Sequence, residues 1–132
     1  MAHLGRADEQ LQRALLGEAL DTAGFAAFVF EEDENYVAVN DAACELTGYT
    51  REELLALPLR ELSANPARTV RNLRRVSSGR RRGGSAKLRR KDGTVIDVHY
   101  RATRTSIAGM PFLMAFYWTD GRERGGSGAP LG

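Results

Sequence analysis

The stretch Tyr36 to Leu57, YVAVNDAACELTGYTREELLAL, restricts the fold more than any other part of the chain. Tyr36, Val37 and Val39 favour a strand. Asn40 ends that strand with a side chain able to accept from a helix amino-terminal N–H, and Asp41 puts negative charge where the helix dipole favours it. Ala42 to Leu46 form one or two helical turns, which Gly48 closes in the left-handed conformation. Thr50 and Glu53 have the Thr-x-x-Glu spacing of a capping box, so a second short helix opens there. Leu54, Leu55 and Leu57 give it an apolar face, and Pro58 ends it. A strand running straight into two capped short helices predicts an α+β chain.

The flanking sequence extends this pattern. Ala7 to Leu20 reads as an amphipathic helix with Leu11, Leu15, Leu16, Ala19 and Leu20 on one stripe, weakened locally by Gly17. Phe25 to Glu31, which contains Phe28 and Phe30, is a strand that pairs with Tyr36 to Val39 as a hairpin. The intervening Glu31, Glu32, Asp33 and Glu34 form an acidic turn, either solvated or offering carboxylates to a divalent cation. It lacks the glycine and the spacing of a calcium loop, which favours the solvated turn. Leu59 to Leu62 make a further single turn. Asn65-Pro66 then caps a helix to about Ser77, with Val70, Leu73 and Val76 inward and Arg68, Arg71, Arg74 and Arg75 outward.

Three more strands follow, at about Ser85 to Arg90, Thr94 to Thr105 and Met110 to Thr119. Lys91-Asp92-Gly93 and Ala108-Gly109 are the turns between them. In the middle strand Ile96, Val98, Tyr100 and Ala102 alternate with polar residues, the rhythm of a half-buried sheet. The last strand is apolar on both faces. We assign Phe112, Met114, Phe116 and Trp118 inward and Leu113, Ala115 and Tyr117 outward. The outer face then needs a cover, either the amino-terminal helix or a second subunit. Three segments result: a flanking helix (1–22), a domain (23–120) and a glycine-rich tail or linker (121–132).

A chain of 132 residues suits one core. No apolar run is long enough for a membrane span and no secretory signal opens the sequence, so a cytoplasmic setting is expected. The net charge of +2 conceals two unlike halves: residues 1–63 sum to −9 and the remainder to +11. Such asymmetry either steers assembly with a partner or a second copy, or marks two solvated faces. Cys44 is the only cysteine and lies in an apolar context. It is a small buried hydrophobe on one reading and a redox thiol on the other. His3 and His99 are the only histidines, and no nucleophile elbow, phosphate loop or paired metal-ligand motif occurs. An enzyme is therefore not expected.

The Asn40 after a strand, the Ala42-Ala43 pair, Leu46-Thr47-Gly48-Tyr49 and Thr50-Arg51-Glu52-Glu53-Leu54-Leu55 together resemble the core motif of PAS sensory domains. The resemblance extends from Phe25 to Asp120 and includes Lys91-Asp92-Gly93 between two strands. It implies a five-stranded antiparallel sheet flanked by short helices, with the amino-terminal helix outside it. It implies a sensory or protein-interaction module of signal transduction, a homodimer, and an output domain or partner signalling protein. Leu11, Leu15, Leu113 and Tyr117 are the expected dimer contacts. Phe28, Phe30, Asn40, Leu46, Tyr49, Leu54, Val70, Leu73, Val98, Tyr100, Met114, Phe116 and Trp118 are the expected cavity lining.

Cofactors can be weighed against that family. Flavin-adduct members carry Asn-Cys-Arg before the cavity helix, and Ser63 to Arg71 holds no cysteine. Haem members commonly supply a histidine from the cavity helix, and Pro66 to Ser77 holds none. Both are disfavoured; a non-covalent flavin, with Trp118, Tyr49 and Asn72 to hold it, stays open, as does any apolar or aromatic ligand. Four large inward side chains on the last strand would leave little room for one. The family's exit motif is only half kept, since Asp120 is present without a threonine two residues on. A second class of function is a nucleic-acid-associated domain using the basic cluster from Arg80 to Lys91, which includes Arg81. Aromatic residues do not interleave with that cluster, which argues against stacking on single strands.

Overall fold

The computed structural model describes residues 8–31, 33, 35–80 and 82–120. Along the chain these form α1 (Glu9–Thr22), β1 (Ala26–Phe30), β2 (Tyr36–Val39), α2 (Asp41–Thr47) and α3 (Arg51–Leu55). A 3-10 turn (Leu59–Leu62), α4 (Pro66–Ser77), β3 (Gly83–Arg89), β4 (Val95–Ile107) and β5 (Met110–Trp118) complete it. The expectations placed on His3, Glu32, Glu34, Arg81 and the 121–132 tail lie outside the described residues.

The strands form one antiparallel sheet in the order β2-β1-β5-β4-β3, so the first and last strands lie side by side within it. The segments between β2 and β3 cover one face. Their starts follow from the local chemistry. Thr50 and Glu53 make the full capping box, and Asn65 caps α4 by accepting from the Arg68 N–H at 3.2 Å. Gly48 closes α2 at φ +81, a conformation that costs a side-chain-bearing residue free energy. A second glycine is required by space: a Cβ at Gly83 would lie 2.7 Å from the Tyr100 carbonyl oxygen across the β3–β4 ladder.

The core forms from Ala26, Phe28 and Phe30 of β1, Tyr36 and Val39 of β2, and Ala43, Leu54, Leu59, Leu62 and Val76 of the covering segments. Tyr100 and Ala102 of β4 and Leu113 and Ala115 of β5 join them. This corrects the facing of β5. Leu113 is fully buried and Ala115 nearly so, whereas Phe112, Met114, Phe116 and Trp118 are half-buried on the other face. The register dictates it. Ala26, Phe28 and Phe30 stand opposite Tyr117, Ala115 and Leu113, and directly opposed residues share a face. Leu113 and Tyr117 are therefore core-side residues and not the outward dimer contacts expected of them.

The helix α1 does not cover this core. Leu11, Leu15 and Leu16 are 48 %, 54 % and 68 % exposed, and no α1 residue is buried. Its carboxyl-terminal end is tied down by Asp21, whose side chain accepts the Ala42 N–H at 3.0 Å.

Candidate functional site

Asn40 joins the sheet to the helical segments. Its Oδ1 accepts from the Ala27 N–H at 2.9 Å and the Ala43 N–H at 3.0 Å, while its Nδ2 donates to the Phe25 carbonyl at 3.0 Å. One side chain thus caps α2 and binds both sides of the β1 start. A second clip brings the β3–β4 turn onto α2 and α3. Lys91 Nζ meets Glu53 at 2.7 Å, the Lys91 N–H donates to the Thr47 carbonyl at 2.9 Å, and Arg90 donates to the Leu46 carbonyl at 3.0 Å. Arg51 pairs with Asp41 at 2.8 Å on the same side.

Between the sheet and its helical cover lies a small, partly open cavity of about 30 Å³. Phe28, Tyr36, Leu59, Leu62, Ser63, Thr69, Ala86, Lys87, Leu88, Val98 and Tyr117 line it. That volume holds a water molecule, whereas drug-sized ligands occupy about 300 Å³ or more. Aromatic rings account for the filling. Phe28 packs edge-on to Tyr117 at 5.4 Å, and Tyr100 lies tilted against Tyr117 at 5.8 Å. Burial pushes the Tyr117 hydroxyl well above its usual pKa, and Tyr100 beside it adds to the shift. The Tyr100 hydroxyl is buried with no hydrogen-bond partner among the described residues.

Of the side chains expected to line this space, Phe28 and Val98 do. Phe30, Leu54 and Tyr100 are solid core, with Leu46, Tyr49 and Leu73 packed against its margin. Val70 is half-buried on α4, and Asn40 is occupied by the three hydrogen bonds above. Met114, Phe116 and Trp118 lie on the opposite face of the sheet.

A larger, open groove of about 1020 Å³ draws its lining from both faces, at the end of α4 and along β4 and the outer side of β5. Leu20 and Phe25 at the α1–β1 junction, Val76 to Gly79 at the end of α4, Arg82, Arg101 to Arg104 on β4, and Phe116 and Trp118 on β5 line it. Sequence reasoning missed it. The signal was present in β4: six residues of this long strand, Ala102 to Ile107, extend past the last pairing with β3 and leave an edge open. Phe25 stands edge-on to Trp118 at 5.8 Å, and His99 lies over the same indole while its Nε2 meets Asp120 at 2.6 Å.

A family profile described as PAS domain matches residues 26–120. The chain belongs to the PAS domain family. Solved structures agree on the PAS fold. The PAS domain of a protein from Desulfitobacterium hafniense is 21 % identical, covering 76 % of this chain and 97 % of its own, with a TM-score of 0.69. A PAS domain from a two-component sensor histidine kinase is 20 % identical over 83 % of this chain and 96 % of its own, at 0.70. The PAS domain of an HTR-like protein from Haloarcula marismortui is 20 % identical over 86 % and 97 %, also at 0.70. No match was found among curated proteins.

Within this PAS domain the remaining chemical candidates find plain placements. Cys44 lies half-buried on α2 beside the core, and burial pushes its thiol pKa up despite the opposing charge of Arg51. A raised pKa leaves less thiolate for nucleophilic or redox chemistry. Much of the basic cluster is engaged by its own chain. Lys87 pairs with Asp97 at 2.6 Å, Arg89 reaches the Glu61 carbonyl at 3.4 Å, and Arg90 and Lys91 hold α2 and α3. Among the described residues no cluster of three metal-ligating side chains occurs, and no helix is long and apolar enough to cross a membrane.

Proposed function

We propose that this PAS domain is a sensory and interaction module of cytoplasmic signal transduction that works as a homodimer. The pairing surface is the α1 stripe Leu11, Leu15 and Leu16, joined by the outward β5 residues Phe112 and Met114. The observation that carries this reading is the stripe itself. Three leucines at helical spacing stand about half exposed or more on a helix that buries none of its residues in its own domain. A second copy offers an identical stripe, which is the requirement of a twofold interface. The two oppositely charged regions of the sequence favour mutual approach as well.

In this reading α1 also carries the signal. It enters β1 next to Asn40 and is held to α2 through Asp21, so a shift in the core reaches the paired helices. The water-sized inner cavity supports a core that transmits through packing and does not enclose a large cofactor. An output domain or partner protein would read the pairing. A native mass spectrum of the purified protein tests this. A dimer at twice the polypeptide mass supports it, and a monomer at every accessible concentration overturns the pairing.

A further inference from the structure

We propose that the outer groove binds a planar aromatic molecule carrying an oxyanion, a carboxylate or a phosphate. The site is distinct from the small cavity between sheet and helices, and none of Leu11, Leu15 and Leu16 lines it.

Its apolar part comes from Leu20, Phe25, Phe116 and Trp118. Phe25 and Trp118 already stand edge to face at 5.8 Å, and Phe116 lies opposite Arg101 on the neighbouring strand. Flat rings are the bodies that such surfaces bind by offset or edge-on stacking. Its charged part is arginine. Arg82 and Arg101 are both exposed and both line the groove, and their backbones meet where β3 begins: the Ala102 N–H donates to the Arg82 carbonyl at 2.7 Å. Guanidinium groups bind carboxylate and phosphate through paired N–H donors, and they also stack on aromatic rings.

On the far wall three carbonyl oxygens are shielded from an anion. The carboxyl-terminal carbonyls of α4 would repel it, yet they are closed by N–H groups of the following turn. Ser78 donates to Arg74 at 3.0 Å, Gly79 to Val76 at 3.0 Å and Arg80 to Arg75 at 2.7 Å. Ser77, Ser78 and Thr103 add hydroxyls to the lining. The volume of about 1020 Å³ accommodates a fused-ring compound with space for solvent.

Trp118 is the only tryptophan, so its indole N–H gives a single resonance in a nitrogen–proton correlation spectrum. The full chain is titrated with 2-naphthoate, 2-naphthyl phosphate and neutral 2-naphthol. We expect saturable movement of the Trp118 indole with at least one anion, and binding of naphthol about tenfold weaker. Whichever anion binds tighter identifies the oxyanion. Arg82→Gln and Arg101→Gln should each weaken anion binding about tenfold with the rest of the spectrum unchanged. No saturable movement with either anion overturns the proposal. So does equal binding of naphthol, or shifts confined to Tyr117 and the inner cavity. Failure here leaves the homodimer reading untouched, because that reading is carried by Leu11, Leu15 and Leu16, none of which lines the groove.

Discussion

Lys91 Nζ lies 2.7 Å from one carboxylate oxygen of Glu53, and the other oxygen accepts the Thr50 N–H at 2.9 Å. A single carboxylate therefore completes a helix cap and holds the β3–β4 turn against it. The Lys91 hydrogen bond, then the backbone of Thr50, hold the Glu53 carboxyl below the usual glutamate pKa. The folded carboxyl is thus more acidic than the unfolded one. Its contribution to stability is present above the unfolded pKa and is lost as pH falls through the folded pKa. Urea denaturation across acidic pH should show this loss in the native sequence and a smaller one in Glu53→Gln. Because the pair is exposed, salt should reduce the difference.

Asn40→Ala removes a helix cap and leaves the Ala27 N–H and the Phe25 carbonyl without their side-chain partner. Cap loss costs about 1 kcal/mol, and each stranded, partly buried group costs about 1 kcal/mol more. A total of about 2–4 kcal/mol is expected by equilibrium urea unfolding. Asn40→Asp keeps the acceptor but sets a carboxylate oxygen against the Phe25 carbonyl, so it should also destabilise, by about 1–3 kcal/mol.

Ala108 holds φ +53 in the turn before Gly109, a conformation that disfavours residues bearing a Cβ. Asparagine tolerates it and suits a two-residue hairpin turn. Ala108→Asn should stabilise by about 0.5–1 kcal/mol. Ala108→Val should destabilise, since a β-branched residue fits such a turn worst. Thermal unfolding of both variants measures the effect.

The two faces of β5 can be told apart by truncation. Leu113→Ala opens a cavity in a site with no exposure and should cost about 2–5 kcal/mol. Met114→Ala, half-buried on the groove side, should cost under about 1.5 kcal/mol. Equal losses in urea unfolding would return β5 to the opposite facing.

Helix starts and turns were legible because their causes are local. The Asn40 cap, the Thr50–Glu53 box, Asn65-Pro66 and the two hairpin turns each act within a few residues. The facing of β5 was not legible from its own residues, because alternation carries no information when both sets are apolar. It was legible from the neighbouring strand. A tight turn at Ala108-Gly109 sets Ile107 against Met110 and hence Ala102 against Ala115. Ala102 belongs to the clearly alternating inward row, so Ala115 must face inward too. Side-chain size alone does not set the facing of a strand. The groove was legible only in part: the length of β4 beyond β3 signals an open edge, but the ends of α1 and α4 that join it there are brought together by no local pattern.

The most direct test of the account concerns Leu15, which is more than half exposed on α1. Light scattering coupled to size exclusion gives the molar mass of the native protein and of Leu15→Glu at equal concentrations, and urea unfolding of dilute samples serves as the control. The account predicts a dimer for the native chain, a monomer for the variant, and the same intrinsic monomer stability for both. A native monomer, or a Leu15→Glu dimer as tight as the native one, would contradict it.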